Sequence, residues 1–322
     1  MKLLLVALSM LVSIGHATHA KADKRIALVI GNSAYEHTGK LTNPMNDATD
    51  MSAVLGRLGF EVIEGRDLDK RAMERLVRQF GVRLAGTDLA LFFYAGHGLQ
   101  VGGQNYLVPT DARLASHGDV DFETLPLNLV LKQMEGEAKT TVVLLDACRD
   151  NPLARNLARS MGARSASQIG QGLAEVRTSV GTLIGFATQP GNFALDGTGR
   201  NSPYTEALIK HIELPGKDLS GVLVQVRNDV LKATDGKQVP WEHTSLTGQV
   251  YLKGVLKLNP AQRPDLSYDQ RVELDFWASV RDSGDPFLLR AYIERYPNGP
   301  FVPVAQSFIE KLQGRPALEP VT

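Results

Sequence analysis

One cysteine, Cys148, and one histidine held between two glycines, His97, are the residues here whose types and spacing could do covalent chemistry. A thiol is a modest nucleophile until a neighbouring base takes its proton, and an imidazole titrates where that transfer is efficient. Cys148 stands at the exit of an apolar, β-branched run, Thr140 to Asn151 (TTVVLLDACRDN), and His97 at the exit of a second, Asp88 to Gly98 (DLALFFYAGHG). Both runs read as buried strands, and in an open α/β sheet the carboxyl ends of parallel strands form the ligand crevice. Two strands would thus deliver a thiol and an imidazole to one rim.

A lone cysteine is commonly an inert buried hydrophobe, and a loop histidine is usually just solvated. Cys148, however, follows the apolar run rather than sitting inside it, and its neighbours are Asp146, Arg149 and Asp150. Gly96 and Gly98 carry no Cβ, so a substrate or a neighbouring strand can come close to the backbone on either side of His97.

YAGHG at 94–98 and DACRD at 146–150 resemble the histidine and cysteine motifs of the caspase-like cysteine proteases, which include the metacaspases and their bacterial relatives. His97 precedes Cys148 by 51 residues, a spacing that belongs to the known caspase pattern and is part of the resemblance. Asp146 stands where caspases have Gln and Asp150 where they have Gly, departures that point to the metacaspase branch. The resemblance covers residues 24 to 254. It implies an α/β/α sandwich and a cysteine endopeptidase working through a Cys148–His97 dyad. It also implies an oxyanion site made by the backbone N–H groups of Gly98 and Cys148.

For the substrate, the resemblance matches Asp47, in NPMNDATDM, to a second carboxylate of the specificity pocket. Asp146, two residues before Cys148 on one strand, should face the same side of the sheet as the thiol. Two carboxylates favour Arg or Lys at P1; the bland reading of Asp47 is a first-turn helix residue. Ala95 departs from the family, where a serine often stands. In the family the loop after the fifth strand lines the groove, which makes Ala187, Thr188 and Gln189 candidate contacts for a peptide main chain.

These motifs need a scaffold of alternating strands and helices. Arg25 to Gly31 is the first strand; Asn43 with Pro44 then opens a helix striped by Met51, Val54, Leu55 and Leu58. Phe60 to Ile63 is the second strand, and Asp69 caps a helix carrying Met73, Leu76, Val77 and Phe80. Thr182 to Ala187 is a fifth strand, followed by helices from Pro203 to His211 and Leu219 to Thr234. The expected fold is thus a mainly parallel sheet covered on both faces, with a small all-α segment at the C-terminus. Asn151 to Ala174, rich in Ser, Gly and Ala with Arg155, Arg159 and Arg164 and no acidic residue, reads as an exposed mobile loop. A pocket for Arg would make Arg159 and Arg164, ahead of Arg155, sites of self-cleavage; the alternative is that they only keep the loop soluble.

Residues 1–20 read as a secretory signal peptide, with Lys2, an apolar run and cleavage after Ala17 or Ala20. The expected domains are this signal, a peptidase domain over 21–254, a linker over 255–267 and a tetratricopeptide-like helical module over 268–314. Its small core would be filled by Trp277 and Tyr292, and it either binds a protein partner or simply docks. A single cysteine in an exported, periplasmic or secreted chain excludes an internal disulfide.

Lys plus Arg and Asp plus Glu balance at 35 each, so nucleic acid is not an expected partner, and no run is long enough for membrane insertion. No phosphate-binding loop or serine elbow is present, and the histidines lack metal-ligand spacing. Asp111, Asp119, Asp121 and Glu123 read either as a loose calcium site, with calcium an optional activator, or as a solvated acidic loop. The expected function is cysteine endopeptidase, acting on peptide or protein substrates without a required cofactor. A catalytically silent caspase-fold adaptor working through its C-terminal helices is the alternative.

Overall fold

Val, Ile, Leu and Phe in unbroken runs make strands that must be covered on both sides, and four such strands form the centre of the main sheet. In the computed structural model β1 (Arg25–Gly31), β2 (Glu61–Arg66), β3 (Thr87–Ala95), β7 (Ala138–Asp146), β9 (Thr182–Phe186) and β10 (Trp241–Thr244) form one sheet in the order β10-β9-β7-β3-β1-β2. All pairings are parallel except β10 with β9. The structure describes residues 23–147, 152–160, 169–170, 172–176, 178–254, 267–281 and 283–313. It divides into two compact units, Met1–Val255 and Leu256–Thr322.

Alternate residues of each strand feed two cores. Ala27, Val29, Leu91, Phe93, Val142 and Leu144 pack on one face against α1 (Pro44–Arg57), α6 (Pro203–His211) and α7 (Leu219–Ala233). Ile26, Leu28, Phe92, Tyr94, Val143 and Leu145 pack on the other against α2 (Lys70–Arg83) and α4 (Leu127–Met134). The chain runs from β1 outward to β2 and then back across to β3, so the strand order reverses between β1 and β3. In a parallel sheet this switch point opens a crevice at the carboxyl ends of the strands, where the loops after β1 and β3 diverge.

The helix starts show how local chemistry sets boundaries. Asp69 accepts from the Ala72 N–H at 2.6 Å and caps α2 as expected. Asn43 holds the N-cap position of α1 with Pro44 inside the first turn, but its side chain makes no cap bond and donates instead to the Asp196 carbonyl. The second strand is longer than Phe60 to Ile63 and shifted, ending at Arg66.

Two expectations need correction. The stretch Asp88 to Gly98 is not one strand: β3 stops at Ala95, and β4 (Gly98–Val101) belongs to a second, antiparallel sheet. There it lies between β5 (Gln104–Leu107) and β8 (Ile169–Gly170), with β6 (Leu125–Pro126) beyond β5. Gly102 and Gly103 both take positive φ, 57° and 79°, the geometry of a two-residue hairpin turn. Secondly, residues 152–160 are not loop but helix α5 (Pro152–Ser160). Leu153 and Leu157, four apart, are buried in a third core with Leu99, Val101 and Tyr106 of the small sheet and Val108 just beyond it, which is why this arginine-bearing stretch folds. A short helix α3 (Asp119–Glu123) joins the same core through Val120.

The second unit holds three helices, α8 (Tyr268–Val280), α9 (Pro286–Arg295) and α10 (Val302–Gln313), around Trp277 and Tyr292, whose ring centroids are 5.0 Å apart. Burial, and then a 2.7 Å bond from its hydroxyl to Glu273, push the Tyr292 phenol up to about 12. The folded state therefore holds the Tyr292 proton more tightly than the unfolded chain does. Its contribution to stability is complete below pH 10 and is lost as pH rises toward 12. In a Trp241→Phe protein, where Trp277 is the only remaining tryptophan, its fluorescence should report this unit loosening in that window. Tyr292→Phe, which has no proton to lose, should abolish the dependence.

Residues 1–22, which include the expected signal peptide, and residues 255–266, most of the expected linker, lie outside the described residues. Among the described residues no helix is long and apolar enough to cross a membrane.

Candidate active site

His97 occupies the step where the chain leaves the large sheet for the small one. Ala95 pairs with Asp146 at the last rung between β3 and β7, and the Gly96 N–H reaches the Asp146 carbonyl at 3.2 Å. Beyond that rung His97 and Cys148 are each two residues from a partner of the pair. Cys148 itself lies outside the described residues, but Ala147 before it is buried, and a Cβ built on Gly98 would stand 3.2 Å from the Ala147 Cβ. The histidine loop is therefore in contact with the residue that leads into the cysteine.

The His97 side chain is 1% exposed. Its Nε2 lies 3.4 Å from the Gly39 carbonyl, and its ring packs on Tyr35 with centroids 4.6 Å apart. With Nε2 as donor to Gly39, Nδ1 is the nitrogen left to act as base. Gly39 carries no side chain, so nothing in its residue type could mark it as the orienting group. The His97 carbonyl accepts from the Val108 N–H at 3.1 Å, which makes Gly98 and Leu107 the non-hydrogen-bonded pair of the antiparallel ladder. The Gly98 N–H accordingly points away from β5.

Asp47 and Asp146, both fully buried, are brought together by Ser202. Its N–H donates to Asp47 Oδ1 at 3.1 Å, and its hydroxyl donates to Asp146 Oδ2. Thr205 adds a second hydroxyl to Asp146 Oδ2 at 2.7 Å, and Asn201 bridges Asp47 at 3.1 Å and Asp50 at 3.0 Å. Arg200 clamps Asp50 with two bonds of 2.9 and 3.0 Å, and this hydrogen bonding holds the Asp50 carboxyl below its ordinary value despite partial burial. Ser202, Thr205 and Asn201 are absent from the motif reading. Ser202 caps α6, accepting from the Thr205 N–H at 3.0 Å, and also bridges carboxylates 155 and 56 residues away, a role with no local signal in the sequence.

The family model for the caspase domain matches residues 24–251. The chain belongs to the caspase-domain family. The Mucosa-associated lymphoid tissue lymphoma translocation protein 1 of Homo sapiens is 26% identical over 274 residues, covering 84% of this chain and 31% of that protein. Its Mus musculus homolog is also 26% identical over 274 residues, covering 84% of this chain and 30% of the homolog. The chain thus spans less than a third of the length of these curated relatives. The crystal structure of caspase-1 from Spodoptera frugiperda superposes with a TM-score of 0.53 at 18% identity, over 74% of this chain and 92% of that one, and carries the same fold.

Several candidate residues of the caspase domain prove to be used otherwise. Ala187 extends the ladder, its N–H on the Leu145 carbonyl at 2.9 Å and its own carbonyl accepting from the Gln238 side chain at 2.9 Å. Thr188 is buried with a hydroxyl that has no partner among the described residues. Gln189 is half-buried and accepts from the Asn192 N–H at 3.2 Å in a turn. The acidic cluster does not converge: Asp111 accepts from the Lys70 N–H, Asp119 from the Ala115 and Ser116 N–H groups, Asp121 from the Tyr106 hydroxyl and Glu123 from the Arg113 N–H. Among the described residues no group of three or more His, Cys, Asp or Glu is placed to hold a metal ion. Asp119 caps its own turn, and the other three carboxylates each hold a separate, more distant donor.

Arg159 is on α5, its Nε on the Arg155 carbonyl at 3.4 Å and its neighbour Leu157 fully buried. A protease needs an extended segment, so self-cleavage there would first have to unravel a packed helix. Arg164 lies outside the described residues.

Proposed function

We propose that the protein is a cysteine endopeptidase that cleaves after Arg or Lys. The observation that carries this reading is the buried His97, set two residues beyond the Ala95–Asp146 rung with its Nε2 turned to the Gly39 carbonyl. In the mechanism Nδ1 of His97 takes the Cys148 proton, and the thiolate sulfur bonds to the scissile carbonyl carbon. The carbonyl π electrons move to oxygen, and the N–H groups of Gly98 and Cys148 donate hydrogen bonds to the resulting oxyanion. Collapse of the tetrahedral species breaks the C–N bond, and His97 gives its proton to the departing amine. Water, deprotonated by His97, then cleaves the thioester and restores the thiol. Supporting the P1 reading, Asp47 and Asp146 share Ser202 as a partner, so a guanidinium or ammonium that reached them would meet two carboxylates at once.

The test is a fluorogenic peptide panel varying P1, run on the mature protein and on Cys148→Ala under reducing conditions with and without calcium. The expected result is turnover by the parent protein alone, confined to Arg and Lys peptides. Equal inertness of both proteins would turn the reading to a silent adaptor acting through α8–α10.

A further inference from the structure

The step between the two sheets leaves the main chain of His97 without a strand partner for its N–H, and two tyrosines complete the bonding there. The His97 N–H donates to the Tyr35 hydroxyl at 2.7 Å, and the Tyr94 hydroxyl donates to the His97 carbonyl at 2.8 Å. The two hydroxyls lie 3.4 Å apart, within reach of a hydrogen bond, and the Tyr94 hydroxyl also lies 3.1 Å from the Val108 carbonyl. Three hydrogen bonds thus close a ring around one residue, a geometry in which each bond polarises the next. Gly96 is required inside that ring: a Cβ on it would fall 2.6 Å from the Tyr35 oxygen and 2.7 Å from the Tyr94 oxygen.

Tyr35 is also the residue whose ring lies against the His97 imidazole, and it shares a loop with Gly39, which takes Nε2. That loop is anchored away from the site. Asp67 Oδ1 accepts from the Ser33 and Ala34 N–H groups at 2.7 and 2.9 Å, and Asp67 does so from a left-handed backbone, φ 48°. Asp is one of the few non-glycine residues that takes this conformation readily, which suits it to hold the loop through two backbone N–H groups.

We propose that Tyr35 is a positioning residue for the reaction, holding His97 by its backbone through the hydroxyl and by its ring face through stacking. Asp67 fixes the loop from which Tyr35 does this. The inference rests on the Cys148–His97 reading, in which Nδ1 must stay aimed at the thiol throughout turnover. A displaced general base costs rate and not binding, because the P1 carboxylates are carried by α1 and β7.

The experiment compares Tyr35→Phe, Tyr35→Leu and Asp67→Ala by steady-state kinetics on an Arg peptide and by NMR of histidine labelled with nitrogen-15. Tyr35→Phe keeps the ring and should lower kcat about tenfold at unchanged KM. Tyr35→Leu loses ring and hydroxyl and should lower kcat about a hundredfold. In the parent protein the His97 ring should give one Nε2–H tautomer; in Tyr35→Leu and Asp67→Ala the two tautomers should average. Parent-like kcat and an unshifted tautomer in Tyr35→Leu would overturn the proposal. The NMR arm needs no turnover, so a parent protein without peptidase activity, which refutes the endopeptidase reading, still leaves the anchoring of His97 decided by the tautomer alone.

Discussion

Asp146→Asn is expected to lower kcat/KM for an Arg peptide by roughly two to three orders of magnitude while leaving the chain folded. Removing one partner of a desolvated ion pair costs about 3–5 kcal/mol, and each 1.4 kcal/mol is tenfold in rate. Asparagine is the informative replacement because its amide oxygen can still accept from Ser202 and Thr205, whose hydroxyls both end on Asp146 Oδ2. Asp146→Ala would orphan those buried hydroxyls as well and mix a stability loss into the kinetics. The ratio of turnover on Arg peptides to turnover on neutral peptides is the quantity to follow, since a folding defect lowers both alike. Efficient cleavage after Asp by the parent protein, or an Asp146→Asn enzyme with undiminished preference for Arg, would sink the pocket assignment.

The second large effect is at Gly31, the last residue of β1. A Cβ there would lie 2.2 Å from the Pro44 carbonyl oxygen and 2.6 Å from the Ala48 Cβ. The first obstacle is helix backbone, which cannot rotate aside, so the alanine must push α1 off the sheet. We expect Gly31→Ala to cost about 3 kcal/mol, seen as a lower urea midpoint at unchanged slope. Because α1 carries Asp47, it should also weaken binding of Arg peptides in the fraction that folds. Gly56, near the end of the same helix, is the control: nothing lies within 4 Å of its Cβ position. Gly56→Ala should leave stability unchanged or raise it by up to about 1 kcal/mol. A parent-like midpoint for Gly31→Ala would show that α1 can slide.

How much of this was legible depended on how far apart the interacting residues lie. β1, the helices from Pro203 and Leu219 and the three C-terminal helices follow from periodicity and caps, which are local signals. The two strand exits bearing His97 and Cys148 were legible because apolar runs end abruptly there. The hairpin of the small sheet was missed although Gly102 and Gly103 stand between two short alternating stretches; the continuous run through Tyr94 overshadowed them. Helix α5 was read as loop because Ser, Gly and Ala dominate residues 151–174, and the Leu153–Leu157 pair spans only one turn of apolar face. The Gly39 carbonyl and the double role of Ser202 could not be read at all, since a backbone oxygen has no residue signature and a bridge across 155 residues has no local pattern.

That separation bears on when the protein becomes able to act. Asp47 waits for Ser202, and the Tyr35 hydroxyl receives the His97 N–H from 62 residues downstream. Non-local contacts pay their loop-closure entropy before they return any stability, so they tend to close slowly. A chain emerging in order from its N-terminus would have its thiol in place before Ser202 and Thr205 exist to bridge the pocket. On the peptidase reading proposed above, the carboxylate pocket therefore stays unbridged until the start of α6 has been made, well after both motif strands.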